Sequence, residues 1–243
     1  MDAILYVAGI LAFAPTMILM YAVLRKYTYP AIEQPFFSDP AFFKLFVVGL
    51  VAGTFLCVAF YIFLDPLNII HMVLFAAVQC LAMVVVMNLK RFHGKSDSVF
   101  YGYGLGLGIG CTMALGTIYL LGTIVSGIGG EGNDVGPMGY AWLLIVALSY
   151  ILILSAIGTT VGEGIARLRP MEFAMQAMLV NVVFSLILWA AYISDNNFSL
   201  YACLVMALVV AAVYFYYIMY VKLSSVVKDV LRMEGKTRKD VPK

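Results

Sequence analysis

Seven long apolar runs follow one another along this chain and leave little room for anything else. They fall at residues 3–24, 43–64, 66–89, 99–127, 139–161, 171–193 and 198–221. A helix of about 20 apolar residues crosses the hydrocarbon core of a bilayer, so each run is long enough to span a membrane. Only 12% of the 243 residues are charged, too few to cover the surface of a soluble domain of this size. The sequence therefore predicts an all-α, polytopic membrane protein with seven transmembrane helices.

The basic residues are confined to alternate connections between these runs and to the C-terminal tail. The first connection carries three Lys or Arg, the third three, the fifth two and the tail seven, whereas connections two, four and six carry none. Because basic segments are retained on the cytoplasmic side, this pattern predicts an external amino terminus and a cytoplasmic carboxyl terminus. We expect a seven-helix domain over residues 1–222 and a basic cytoplasmic tail over 223–243, placed in the lipid bilayer of the cell membrane.

The tail combines basic residues with apolar ones such as Val226, Val230 and Leu231. A helix of this kind can lie on an anionic leaflet with its apolar face in the lipid. It can equally be a solvated extension of the seventh span. The sequence leaves both interpretations open.

Charged side chains inside a membrane are the first candidates for function. Here Lys44, Asp65, Glu163 and Glu172 fall at the ends of apolar runs, where we expect them to reach water. The sequence contains no pair of buried carboxylates and no His and Cys cluster of the kind that activates water or holds a metal. We therefore expect no catalytic residue, no metal, no other cofactor and no nucleic-acid partner.

Four uncharged or weakly basic polar residues are placed further from the ends of the runs, and we interpret them as buried: His71, Gln79, Gln176 and Asn181. Amide side chains do not take up a proton at neutral pH, but they bridge helices by hydrogen bonds worth on the order of 1 kcal/mol in a bilayer. A lone His is also more often a helix-bridging group than a catalyst. We favour a structural role for these residues and keep contact with a substrate or partner as the alternative.

The strongest local pattern is a series of alternating glycines in the fourth apolar run. Gly102, Gly106 and Gly110 are spaced four residues apart, and Gly104 and Gly108 form a second, adjacent series. Glycines four residues apart stack on one helix face and let another backbone approach closely. The sequence therefore predicts that the fourth helix is packed closely against its neighbours.

Several short motifs stand in a recognisable order. They are an Ala-Pro pair at 14–15, an Arg-Lys pair at 25–26, a Phe-x-x-Gly segment at 46–49 and the glycine series that follows Tyr103. This order resembles the PrsW-type intramembrane protease superfamily, which includes the anterior-pharynx-defective scaffold subunit of gamma-secretase. The resemblance implies a shared arrangement of spans, with catalytic glutamates on the third and fourth.

This chain departs from that family where the resemblance would place the catalytic groups. A Gln-Cys pair at 79–80 stands at the glutamate pair of the third span, and a Leu-Gly pair at 115–116 stands at the Glu-Asn pair of the fourth. The later histidines of the family align loosely with residues 155–158 and with Asn181. The resemblance therefore implies a degenerate member, a pseudoenzyme that keeps the fold without the groups that activate water.

Three functions remain as hypotheses. We favour a non-catalytic membrane scaffold, or a substrate- or partner-binding subunit, that contacts another integral membrane protein through the third, fourth and sixth spans. One alternative is a PrsW-like intramembrane protease with an atypical site. The other is a small-solute transporter or channel lined by the four polar side chains.

Overall fold

The computed structural model describes residues 2–29, 31–32, 35–128, 137–194, 196–235 and 241, and the regular elements within them are helices. The α-helices are α1 Asp2–Leu24, α2 Asp39–Phe63, α3 Ile69–Met87, α4 Asp97–Ile128, α5 Pro137–Ala166, α6 Pro170–Tyr192, α7 Asn197–Tyr216 and α8 Leu223–Met233. A 3₁₀ turn at Lys90–Phe92 precedes α4, and a π-helical segment at Tyr217–Lys222 joins α7 to α8. Seven helices are long and apolar enough to cross a membrane, the last running from α7 into α8. The predicted all-α fold with seven spans is confirmed.

Residues that are favoured at helix N-termini set where several of these helices begin. The side chain of Asn68 accepts a hydrogen bond from the backbone N–H of Ile70 at 2.9 Å, and Asn196 accepts one from Phe198 at 3.1 Å. Each bond satisfies an N–H group that has no partner within its own helix. Proline occupies the first turn of α2 and of α6, where its missing N–H costs nothing.

Helices α4 and α5 form the centre of the bundle. In the most apolar 18-residue stretch of each of these two spans, 67% of the residues are buried. In the other five spans the buried share is 33% or less. Helix α2 packs along α4, α7 packs along α5, and α1 packs against both. Helix α6 also lies on α5, whereas α3 is held mainly by α6. A peripheral layer of five helices therefore surrounds a central pair.

The first glycine series of α4 faces α5. A Cβ atom added to Gly102 would lie 2.2 Å from the carbonyl oxygen of Gly158, and one added to Gly106 would lie 2.3 Å from that of Leu154. Carbon and oxygen atoms do not approach so closely, so only glycine fits at these contacts. Gly158 and Gly162 supply the same spacing from the α5 side. The two central backbones are therefore in direct contact.

The second glycine series of α4 faces α2. A Cβ on Gly108 would lie 2.3 Å from the carbonyl oxygen of Phe46, and one on Gly49 would lie 2.4 Å from that of Leu105. Gly104 lies against the ring of Phe42. The two adjacent series of α4 thus serve two different helices.

The first, third and fifth connections and α8 meet at one end of the bundle, called the basic end below. The hydroxyl groups of Tyr27 and Ser224 lie 3.2 Å apart, which ties the first connection to α8. The backbone N–H of Gly94 donates to the carbonyl of Ile165 at 3.3 Å, which ties the third connection to the end of α5. Burial raises the pKa of Tyr27, although the hydrogen bond to Ser224 acts in the opposite direction, so its hydroxyl stays protonated.

Helix α8 turns its apolar face toward the protein. The buried side chains are Leu223, Val226, Val227, Val230 and Leu231. Lys228 and Arg232 lie on the exposed face. The apolar face that a leaflet-bound helix would insert into lipid is therefore occupied by protein contacts. Helix α8 continues α7 through the π-helical segment, as an extension of the seventh span that is exposed on one face only. Residues 236–240 and 242–243 of the predicted tail lie outside the described residues.

Candidate functional site

Two of the polar residues singled out in the sequence meet between α3 and α6. The side-chain amide of Asn181 donates to the Gln79 Oε1 atom and to the Ala76 carbonyl, both at 2.9 Å. Gln79 is 2% exposed and Asn181 is fully buried. Because α3 rests mainly on α6, this pair is a polar clasp that holds a peripheral helix in the bundle.

The clasp leaves one donor and one acceptor unused. Gln79 Nε2 and Asn181 Oδ1 are buried and have no hydrogen-bond partner. An unpaired buried polar group costs about 1–3 kcal/mol. Neither amide can accept a proton from water at neutral pH, so the clasp can bind and orient groups but cannot act as a general base.

The other two polar candidates do not join this pair. Gln176, expected to be buried, is exposed on α6. Five residues before Asn181 correspond to a rotation of about 140° around the helix, which carries Gln176 to a different face. His71 lies in the first turn of α3, about 12 Å along the axis from Gln79. Its Nδ1 accepts the backbone N–H of Asp65 at 3.0 Å, so it fixes the turn between α2 and α3.

Glu163, near the basic end of α5, is buried, in contrast to the prediction that it reaches water. It is 3% exposed and lies between two cations, with Arg167 Nε at 2.9 Å and Lys222 Nζ at 2.7 Å. Arg167 also contacts Asp229 of α8 at 3.1 Å. The prediction was wrong because the π-helical segment and α8 cover this end of α5. The sequence did offer a sign of this ion pair, because Glu163 and Arg167 are four residues apart and therefore lie on the same face of a helix.

This ionic cluster neutralises the buried carboxylate. Glu163 engages one cation through each of its oxygens, so it acts as a structural anchor between α5 and the last helix. The two cations favour the ionised form of this carboxylate, which opposes a role in taking up a proton from water. Among the described residues, no group of three or more His, Cys, Asp or Glu side chains is placed to hold a metal ion.

A cavity of about 310 Å³, which the sequence did not indicate, lies between α4, α5, α6 and α7 away from the basic end. Apolar side chains form most of its wall. The lining residues also include Thr117, Tyr150 and Tyr192, which carry hydroxyl groups. The indole of Trp142 stacks on Tyr201 at 4.1 Å between ring centroids, and its Nε1 is buried without a hydrogen-bond partner. None of the four polar residues singled out in the sequence lines this cavity.

Comparison with protein-family models, with curated proteins and with solved structures gives no match to this chain. The resemblance to PrsW-type proteins therefore stays a prediction from short motifs.

Proposed function

We propose that this chain is a non-catalytic membrane scaffold that binds another integral membrane protein. The observation that carries the proposal is the hydrogen bond from Asn181 to Gln79. These are two of the positions where the resemblance would place catalytic groups, and here they hold α3 to α6. Their chemistry and their mutual contact support a structural role.

The buried carboxylate of Glu163 supports the same proposal. Intramembrane hydrolysis requires a water molecule activated by carboxylates or by a metal with a general base. Glu163 is paired to Arg167 and Lys222, and no metal-type cluster occurs in the part of the chain that the structure describes.

The contacts of α4 narrow the surface on which a partner can bind. Both of its glycine series are covered, one by α5 and one by α2. Contact of a partner with these glycines is therefore not available in the folded chain. Helices α3 and α6 are peripheral, and their outer faces include Leu81, which is 55% exposed, and Leu179, which is 66% exposed. We infer that a partner contacts these two helices.

Site-specific photocrosslinking in the native membrane tests this proposal. A photoreactive residue replaces Leu81 or Leu179, and the matched control is Ile18 on α1, which is 67% exposed. We expect a protein adduct of discrete mass from the two test positions and lipid adducts alone from the control. Absence of a protein adduct at all three positions, together with migration as a lone monomer in mild detergent, would contradict a scaffold.

A second candidate function is the binding or transport of a small uncharged apolar solute. The cavity between α4 and α7 favours it, because about 310 Å³ falls in the range of ligand pockets and no charged side chain lines it. Ala191→Phe adds a ring to this cavity, whereas Ala202→Phe adds one to an exposed face of α7. Apolar solutes should raise the Tm of the native chain and of Ala202→Phe but not of Ala191→Phe. Equal response in all three proteins would exclude this site.

A further inference from the structure

A second pocket, of about 350 Å³, lies at the basic end beside the start of α2. Three cations from three separate elements line it: Lys44 in the second turn of α2, Arg91 in the 3₁₀ turn and Lys95 just before α4. Asp97 and Tyr101 at the start of α4 complete the polar part of its wall. The pocket is separate from the clasp and from the ionic cluster around Glu163.

The walls of this pocket are fixed by contacts within the protein. The hydroxyl of Tyr101 accepts the backbone N–H of Ser38 at 3.3 Å, which joins the start of α2 to α4. The ring of Phe92 is buried and packs edge-on against Tyr101, with 5.7 Å between centroids. The Ser98 hydroxyl donates to the Phe92 carbonyl and holds the 3₁₀ turn. The backbones that carry Lys44, Arg91 and Lys95 are therefore positioned before any ligand binds.

In the described part of the chain, none of the three cations forms an ion pair within 4 Å, although Lys95 interacts electrostatically with Asp97. The ion pairs found there involve Arg167, Arg169 and Lys222. The Glu234 carboxylate accepts the backbone N–H of Ser96, the residue after Lys95. Within the pocket wall, Asp97 is the single acidic residue, and its Oδ1 is buried without a hydrogen-bond partner. The pocket is thus cationic, with one unused acceptor at its edge.

The position of the pocket identifies its ligand by chemistry. Lys44 lies at the beginning of one membrane span and Asp97 at the beginning of another, so the pocket opens where the bilayer meets water. Apolar lining residues Ala41 and Leu45 lie beside the cations. Basic pockets between spans at this level bind phosphate-bearing lipid headgroups. Arg and Lys donate charge-assisted hydrogen bonds to phosphate oxygens.

We propose that this pocket binds the headgroup of an anionic phospholipid. Lys44, Arg91 and Lys95 contact the phosphate oxygens. The apolar residues beside the cations contact the start of the acyl chains.

The full chain in neutral detergent is titrated with dioctanoyl phosphatidylglycerol, and binding is measured by calorimetry. The test variant is Lys44→Gln/Arg91→Gln/Lys95→Gln. The matched control, Arg25→Gln/Lys228→Gln/Arg232→Gln, removes the same charge from exposed positions at the same end. We expect saturable binding of one lipid, weakened more than about tenfold in the test variant and less than about twofold in the control. Equal weakening in the two variants would overturn the proposal, because it indicates diffuse attraction without a site.

Two further titrations identify the source of the phosphate, and a third comparison applies if the triple variant does not fold. Dioctanoyl phosphatidylcholine should bind at least about tenfold more weakly than phosphatidylglycerol, since it carries no net charge. Inorganic phosphate should not compete at millimolar concentration, and effective competition would assign the pocket to a free phosphate ion instead. If the triple variant fails to fold, Lys44→Gln is compared with Arg25→Gln, and equal affinities in that pair would also overturn the proposal.

Discussion

Gly102 of α4 and Gly158 of α5 face each other reciprocally across the centre of the bundle. A Cβ on Gly102 would lie 2.2 Å from the Gly158 carbonyl oxygen, and a Cβ on Gly158 would lie 2.4 Å from that of Gly102. Each contact is with backbone, which cannot move aside as a flexible side chain does. The position of the central helix pair, and hence of the helices around it, depends on this contact.

Gly158→Ala should therefore separate α4 from α5. Overpacking of a close interface costs about 1–3 kcal/mol, and we expect the upper part of that range because backbone must shift. Gly9→Ala on α1 is the control, since a Cβ there meets nothing within 4 Å. It should leave stability unchanged or raise it by up to about 1 kcal/mol through helix propensity. The free energy of unfolding in mixed micelles measures both, and similar values would contradict the contact.

Asn181→Leu and Gln79→Leu should each destabilise the bundle, because the first leaves the Gln79 amide buried and unpaired and the second leaves Asn181 with the Ala76 carbonyl alone. We expect a loss of about 1–2 kcal/mol from each single variant. The double variant should recover most of this loss, since no polar group then remains in the contact. A double-mutant cycle measures the coupling, and simple additivity of the two losses would show that the clasp does not act as a pair.

Glu163→Gln should be among the most damaging single substitutions in the chain. It removes the buried negative charge that pairs with Arg167 and Lys222, and removal of one partner of a buried pair costs about 3–5 kcal/mol. Arg167 keeps its pair with Asp229 and both cations are 27% exposed, so we expect the lower end of that range. Glu172→Gln is the matched control, because its pair with Arg169 at 3.5 Å is exposed and worth at most about 1 kcal/mol. Thermal unfolding in detergent compares the two variants. If Glu163→Gln were as mild as its control, α8 would not be anchored through this carboxylate.

Leu168→Gly should stabilise the protein. Leu168 has φ of 59°, in the left-handed region, at the C-terminal end of α5. The bonds from Leu168 N–H to Ile165 and from Arg169 N–H to Gly164 form a Schellman motif, which glycine normally closes. Removal of the side chain relieves about 1 kcal/mol of backbone strain. Leu168→Ala keeps the strain and should not raise the Tm, so an equal gain from both substitutions would rule out this cause.

Local patterns in the sequence predicted the seven spans, because hydropathy depends on composition and length alone. The glycine series of α4 was visible for the same reason, but its partners depend on which helices are neighbours. Gly49 and Gly158 could have been noticed by their four-residue spacing to Gly53 and Gly162. The pairing of Gln79 with Asn181 required the contact between α3 and α6, which no local pattern specifies.

Features that depend on tertiary structure were missed or misplaced. The burial of Glu163 requires the π-helical segment that carries Lys222 to pack against the end of α5, so its position near the end of a span was a misleading signal. The exposure of Gln176 follows from the direction in which α6 faces. The apolar cavity and the cationic pocket each collect side chains from helices that are distant in the sequence. Such sites cannot be read from one segment at a time.

Every inference about the two membrane surfaces depends on the basic end facing the cytoplasm. Cysteine labelling tests this directly, after Cys57, Cys80, Cys111 and Cys203 are replaced by alanine. Lys90→Cys places a thiol at the basic end, and Leu67→Cys places one on an exposed side chain in the turn between α2 and α3. A membrane-impermeant maleimide should label Leu67→Cys in intact cells and Lys90→Cys only after permeabilisation. Labelling of Lys90→Cys in intact cells would contradict the predicted orientation.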